Sequence, residues 1–594
     1  MTPNLSISLS EAHKIEKDKL FSNVKYKCFK RNTSIKLSKS IDVIGLDTEA
    51  FQDGECYMIC TSEGDVYKRE EFPSCFFGRK YRNKNFVVWN LKYDSGALLQ
   101  LLPFEILEQI RQENIGVFNG YEYELIGYKR LRIRKISASG RKNAGITIFD
   151  IMGFYNMSLQ KASEIYLNNS KHDVEIAEIN RDNLQENWNT LVKYCIQDCV
   201  LTKKLAELQI NSFEKMGIYT RSLISTAYIS YQHFREVCNP PNMYYFWNYH
   251  KKVLDYAMKS YSGGKFEVTE KGLDDYYCYD IVSAYPFEIT KLPDLKNVKV
   301  EYSVRFSDEA DFSFLDCEID IPVSVNNPSS IKKKGLCVYP VGVIRKVITG
   351  IEYKYFVRNG CYVKIFDCVN VYCKEHNYLF ADEIHRLMEY KAKYKEEKND
   401  SMYNTTKVLL NSLYGKFVQL IWKNGCWNAG DSWNPLYASY ITAGCRVRIT
   451  DYQNKYNSVV AVHTDSLISK EKLKIPKTKK LGVMSYEYEG SGVIVGSGVY
   501  QIGDKTKLRG FDSKLKLIDL IDTNSSVINF DAVKFQSWKE TIFRGHSPEE
   551  INAINHIQKT MSIDFDHKRT WIDDYKTFSE IRERKVYSAP YFYF

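Results

Sequence analysis

"KVLLNSLYGKF", residues 407–417, is the stretch on which the fold turns. Lys407, Asn411 and Tyr414 are spaced four and three apart and share one helical face, while Leu409 and Leu413 lie on another. The polar face can offer an ammonium to a triphosphate and an aromatic ring to a base, and the leucines pack inward. K-x-x-x-N-S-x-Y-G fixes five identities. At about 5% each, a chance match somewhere in 594 residues has odds on the order of one in several thousand. Just before it, "LFADEIHRLMEYKAKYKEEKND" sets Phe380, Ile384, Leu387 and Met388 on an apolar stripe. Lys391, Lys393 and Lys395 follow, and Asn399-Asp400-Ser401 break the helix. Two helices joined by a short turn, with lysines turned toward phosphate, are predicted.

Downstream, "AVHTDSLIS" (461–469) reads as a β-hairpin with Asp465 at its tip and His463 two residues before it. Upstream, "YYCYDIVSAYPFEI" is a strand rich in aromatic and β-branched residues that carries Asp280 and ends at Ser283-Ala284-Tyr285-Pro286. Two-metal phosphoryl transfer needs a carboxylate from each of two strands, and Asp280 with Asp465 supplies that minimum.

A second acidic set lies in the first third. "IDVIGLDTEAF" is strand-like, with Asp47 and Glu49 two apart and so on one face. "VVWNLKYDSGALL" places Asn90, Tyr93 and Asp94 just past an apolar strand. "LVKYCIQDCVLTKKL" is helical by periodicity, and Tyr194 and Asp198 share a face, where a tyrosine hydroxyl beside a metal-bound carboxylate can orient water.

Length excludes a single core, since cores stop growing near ~250–300 residues. Hydrophobic content of 44% excludes wholesale disorder, and a net charge of +10 is compatible with a polyanionic partner without proving one. The fifteen cysteines are scattered, with no paired C-x-x-C, which predicts reduced thiols inside a cell. The polar start lacks a signal-peptide core and no run of ~18 apolar residues appears, so a non-secreted protein that does not span a membrane is expected.

In their order, D-x-E, N-x-x-Y-D, Y-x-x-x-D, the Asp280 motif, K-x-x-x-N-S-x-Y-G and the Asp465 hairpin resemble the protein-primed branch of the family B DNA polymerases, over roughly residues 40 to 515. The resemblance implies a multidomain α/β and α+β chain: an RNase H-like 3′–5′ exonuclease followed by a right-hand polymerase of palm, fingers and thumb with insertions. The expected division is a lead-in to 40, exonuclease 41–215, connector and first palm part 216–291, terminal-protein-binding insertion 292–380, fingers 381–418, a short hairpin insertion 419–435 with an Asn424-Gly425 turn, second palm part 436–515 and thumb 516–594.

Among site residues, the resemblance implies Mg²⁺ (or Mn²⁺), two ions per site, on Asp280 and Asp465 and on Asp47, Glu49, Asp94 and Asp198. Nucleotide contacts would come from Lys393, Lys407, Asn411 and Tyr414, with Tyr285 under the sugar to exclude a 2′-hydroxyl. DNA contacts would come from Asn90, Tyr93, Ser158-Leu159, the connector Tyr261-Ser262-Gly263-Gly264 with Lys265, and Tyr500, Lys507 and Arg509. Gly498 departs from the family's K-x-Y lysine, and Lys505, Lys507 or Arg509 could replace its phosphate contact. His463 implies one carboxylate fewer, weaker metal binding and a steeper loss of activity in acid. The expected partners are template and primer DNA, a terminal protein acting as primer and a single-strand-binding protein, with the chain a monomer or a heterodimer with the terminal protein. Two other readings stay open: a nucleic-acid-primed polymerase of similar fold, or a single-strand exonuclease whose polymerase half only binds DNA.

Overall fold

The computed structural model describes residues 24–26, 39–137, 139–140, 142–169, 179–423, 426–511 and 515–593. In the first unit β1 (Val43–Ala50) pairs antiparallel with β2 (Cys56–Thr61) and parallel with β3 (Asn85–Val88). α1 (Leu91–Leu99) follows β3, and β4 (Lys142–Asp150) runs parallel beside β3. Further strands complete an eight-stranded mixed sheet. α2 (Leu184–Lys215) lies across β1, and Gly45 makes this possible: a Cβ there would sit 1.9 Å from the Cys199 carbonyl oxygen. One face buries Leu46, Phe86, Val88 and Ile148, and the other packs Met58 and Cys60 on Cys195 and Cys199. The β-branched and aliphatic runs that forecast strands are the ones covered on both faces.

The second unit is built on β5 (Lys265–Val268) and β6 (Glu270–Ile281), after which the chain turns into α3 (Ala284–Ile289). An inserted sheet follows, from β7 (Phe312–Ile321), β8 (Val341–Thr349) and β9 (Tyr362–Cys373), with Val298–Ser303 on its edge and α4 (Gly350–Arg358) against it. α5 (Ala381–Glu396) and α6 (Asp400–Ser412) form the helical pair, the second capped by the Asn399 side chain on the Met402 N–H. Leu420–Lys423 and Cys426–Ala429 pair as a hairpin, and Val24–Lys25 adds a parallel third strand. The Asn424-Gly425 turn lies outside the described residues, as does most of the lead-in. The buried α7 (Pro435–Lys455) leads to β10 (Val459–Thr464), β11 (Ser466–Ser469), β12 (Met484–Gly496), β13 (Val499–Ile502) and β14 (Lys505–Leu508). These join β5 and β6 in a sheet whose main path runs β5-β10-β11-β6-β12-β13-β14, and Thr570–Trp571 and Val586–Ala589, off that path, bring it to nine strands.

The stretch expected as one thumb has two destinations. β15 (Val527–Phe535) and β16 (Ile554–Ser562) make a long hairpin, and between them α8 (Trp538–Phe543) sinks Trp538 and Ile542 into the core of the first unit. The chain then returns: Val586–Ala589 pairs with β6 and Phe592–Tyr593 runs parallel to β8. Gly342 permits that last contact, because a Cβ would lie 2.1 Å from the Tyr593 carbonyl oxygen. The fourteen described cysteines are free, and no described helix is long and apolar enough to cross a membrane.

Candidate active sites

Asp280 sits one residue from the end of β6 and pairs in register with Ser466, so Asp465 lies next to it at the hairpin tip. The Ile281 N–H donates to the Asp465 carbonyl at 2.9 Å, and the tip is drawn tight by Asp465 N–H to His463 carbonyl at 2.9 Å, with Thr464 at φ +65°. Burial first, then the charges of Asp465 and Glu487, push the Asp280 carboxyl up to about 8, against the pull of Lys407 and Lys391. Asp465 is raised by burial as well, with Lys407 pulling the other way. Two like charges confined together favour a cation between them, and hard carboxylate oxygens suit Mg²⁺. Glu487 was not anticipated: it is the extra residue of a β-bulge in β12, opposite Cys278 and Tyr279.

Across from these carboxylates, Lys391 of α5 donates to Ser283 Oγ at 3.0 Å, and burial followed by the charges of Lys407 and Lys395 brings its ammonium down to about 8. Lys393, the lysine expected at the nucleotide, is instead exposed and lies 3.9 Å from Glu397. Residues 391 and 395 share a helix face and 393 lies on the far side, so the structure puts Lys391 at the site in its place. Lys407 and Asn411 are exposed on α6. The Tyr285 and Tyr414 rings stack with centroids 4.2 Å apart.

In the first unit, Asp47, Glu49 and Cys195 bring ligand atoms within 4.8 Å of one another, and the Cys195 thiol points at Asp47 Oδ2 from 3.8 Å. Burial holds the Cys195 thiol well above its usual range, so it stays protonated, and the soft sulfur suits Mg²⁺ poorly while the two carboxylates suit it well. Asp94 and Asp198 are buried nearby but outside this group of three. Asp94 accepts from Thr48 Oγ1 at 2.9 Å, and burial lifts its carboxyl to about 7, with Asp150 adding to the rise. Asp150, itself raised to about 7 by burial, is a further carboxylate the sequence reading missed. Tyr194 is buried on α2, one residue before Cys195.

The residues expected to meet DNA divide. Gly264 admits the β10–β11 hairpin, since a Cβ would lie 2.5 Å from Thr464 Cγ2. The Ser262 and Gly263 carbonyls accept from Arg446 Nη1 at 2.6 and 3.1 Å, and Tyr261 is buried beside them. Lys265 does not face phosphate: it is fully buried, donating to Gln453 Oε1 at 2.7 Å and the Asn327 carbonyl at 3.1 Å, 3.5 Å from Glu267. Lys265 is the first residue of β5, and there its side chain turns into the core. Ser158 caps a helix by accepting from Lys161 N–H, and Leu159 is core. Asn90 precedes α1 as its cap residue. The Tyr93 ring meets Phe535 edge-on, and its carbonyl accepts from Asn552 Nδ2 at 2.9 Å, tying the long hairpin to the first unit. Lys507 and Arg509 are exposed on and beside β14.

His463 does not stand in for a carboxylate. Its ring lies on Tyr500, 5.1 Å between centroids and 7° from parallel, and 4.6 Å from Phe266. Burial, then the nearby Lys568 charge, lowers its imidazole to about 4, with Asp566 opposing, so the ring is neutral.

An α/β unit with an acidic pocket, followed by a palm sheet with facing carboxylates and a lysine-bearing helical pair, is the right-hand polymerase fold preceded by an RNase H-like domain. The chain belongs to the DNA polymerases of type B, organellar and viral, whose family pattern matches residues 79–425. A DNA polymerase of Acidianus bottle-shaped virus is 28% identical over 272 residues, 42% of this chain and 40% of that protein. A probable DNA polymerase of Neurospora intermedia is 26% identical over 249 residues, 39% of this chain and 25% of its own length, so the chain spans well under half of these relatives. The fold is similar to that of Phi29 DNA polymerase, with a TM-score of 0.63 and 15% identity over 88% of this chain and 100% of that one. Solved forms of that enzyme include a complex with primer-template DNA and incoming nucleotides.

Proposed function

We propose that this chain is a DNA-directed DNA polymerase with a 3′–5′ proofreading exonuclease, and that it starts synthesis on a protein primer. The observation that carries the reading is Asp280 and Asp465 held on neighbouring strands, facing Lys391 and Lys407. Mg²⁺ on these carboxylates would stabilise the attacking and leaving oxygens of nucleotidyl transfer. Lys391 and Lys407 neutralise the triphosphate as it binds and as charge builds on the leaving group. Tyr285, braced by Tyr414, fills the space beneath the sugar, so a 2′-hydroxyl meets the ring.

In the second site Asp47 and Glu49, with Asp94 and Asp198 close by, would hold Mg²⁺ for hydrolysis of a frayed primer end, and the Tyr194 hydroxyl orients the attacking water. Phi29 polymerase complexed with single-stranded and with primer-template DNA supports such partners. Protein priming is supported by the four inserted strands between Val298 and Cys373 and the basic hairpin among them, Ile331–Lys333 with Leu336–Val338, which would dock a terminal protein. A single-strand-binding protein would cover displaced strand.

Primer extension by Asp47→Ala and Asp280→Ala proteins tests the assignment. Extension lost only with the second change supports the polymerase. No extension by wild type, with primer degradation retained, would leave a nuclease. Transfer of a labelled nucleotide onto a candidate protein primer tests priming.

A further inference from the structure

Position 498, where the family resemblance calls for a lysine, is a glycine at φ +79°, and a Cβ built there would face Phe266 Cζ at 3.4 Å and Arg509 Cβ at 3.5 Å. The surroundings are nevertheless cationic. Lys568, from the opposite end of the chain, donates to the Phe266 carbonyl at 2.9 Å and lies 4.3 Å from that ring's centroid. Arg509 enters from the other side, its N–H on the Gly498 carbonyl at 3.1 Å. Neither side chain forms an ion pair with any described residue. Within the same cluster His463 is more than nine-tenths buried, yet among the described residues neither ring nitrogen has a hydrogen-bond partner. A buried donor left without a partner costs about 1–3 kcal/mol, which a bound acceptor would offset.

The lysine is held firmly. Gly496 lets Phe565 approach, since a Cβ would lie 2.6 Å from Phe565 Cζ. Asp566 Oδ2 accepts from Ser497 N–H at 2.7 Å, and its carbonyl accepts from Trp571 Nε1 at 2.7 Å. Arg569, next in sequence, pairs with Glu267 at 2.7 Å. One of the three ammonium donors of Lys568 is spent on Phe266, which leaves two for a ligand.

We propose that Lys568, with Arg509 and the imidazole of His463, binds a backbone phosphate of the primer strand beside its 3′ end, supplying from the C-terminal segment the cation that position 498 lacks. The inference rests on the polymerase reading. Lysine and arginine contacts to phosphate fix the register of a duplex without reading its sequence, and His463 is two residues from Asp465, so a strand held here is delivered to the catalytic tip.

Equilibrium binding of a fluorescent primer-template across a salt series, without nucleotide, tests it. Each phosphate contact contributes about 0.9 to the slope of log affinity against log salt. Lys568→Gln and Arg509→Gln should each lower the slope by about one contact, and Lys568→Arg should keep it. A methylphosphonate walked along the last few primer linkages should weaken wild-type binding most at one linkage and leave Lys568→Gln indifferent to it. Melting temperature and single-strand nuclease activity report folding; should Lys568→Gln fail there, Arg509→Gln and Lys568→Arg carry the test. A wild-type slope and affinity in folded Lys568→Gln would overturn the inference and leave the polymerase reading intact. Failure of wild type to bind primer-template at all would overturn both.

Discussion

Arg446→Met should be among the most damaging single changes away from the carboxylates. The Arg446 and Glu352 side chains are both 0% exposed and meet at 2.7 Å. The guanidinium also donates to the Pro328 carbonyl at 2.9 Å and to the Ser262 and Gly263 carbonyls, so one side chain joins α7, α4, the insertion and the connector. Methionine restores most of the volume, and what is lost is charge compensation. Glu352 keeps its bonds from Thr349 N–H and Oγ1, both 3.0 Å, but remains a buried carboxylate without its main counter-ion. Breaking such a pair from one side costs about 3–5 kcal/mol. At 2–4 °C per kcal/mol for a unit of 150–250 residues, the palm and insertion should melt about 6–20 °C lower. Extension should fall with it, because Gly264 would no longer be fixed against Thr464. Adding Glu352→Met should recover much of the loss. A fall of less than about 2 °C, or no recovery in the double variant, would refute the reasoning.

Gly45→Ala should abolish nuclease activity while leaving extension largely intact, since the new methyl would push α2 and Cys195 away from Asp47; paired assays on one preparation check this. Tyr285→Val should raise ribonucleotide incorporation at least tenfold, on the order of 1.4 kcal/mol of lost discrimination, read by alkaline cleavage of products. Glu352 also predicts an acid limb of stability. Burial alone would raise its carboxyl, but Arg446, Lys346 and the Thr349 hydrogen bonds outweigh that and hold it below the ordinary carboxylate range. Its contribution is therefore complete above the unfolded value of about 4.3 and is lost as pH falls through the lower folded value. Melting curves should steepen against pH there, and Glu352→Gln should flatten them. The hairpin at residues 420–429 is short, and products from a singly primed circle without helper proteins should be correspondingly short.

The carboxylate-bearing strands and the helix of residues 407–417 were legible because their chemistry is local: alternation places Asp47 and Glu49 on one face, and helical spacing aligns Lys407, Asn411 and Tyr414. What the sequence concealed depends on contacts between distant segments. Lys265 looks like a phosphate contact beside two glycines, and only the packing of Asn327 and Gln453 around it shows it to be core. Lys391 and Lys393 are equivalent in composition, and the choice between them is made by Ser283, more than a hundred residues away. Glu487 reaches Asp280 through a bulge that has no local signature. His463 looks like a lost ligand until Tyr500 and Phe266 show where its ring is held. The C-terminal segment, assigned to the thumb by position alone, divides because Trp538 and the final strands each complete a sheet or core begun far earlier.

The central claim is that two separate carboxylate sites hold divalent ions. Anomalous diffraction from crystals grown with Mn²⁺, primer-template and a non-hydrolysable nucleotide measures this directly. Manganese peaks between Asp280 and Asp465, and again at Asp47 and Glu49, are predicted. A strong peak elsewhere with none between Asp280 and Asp465 would contradict the account.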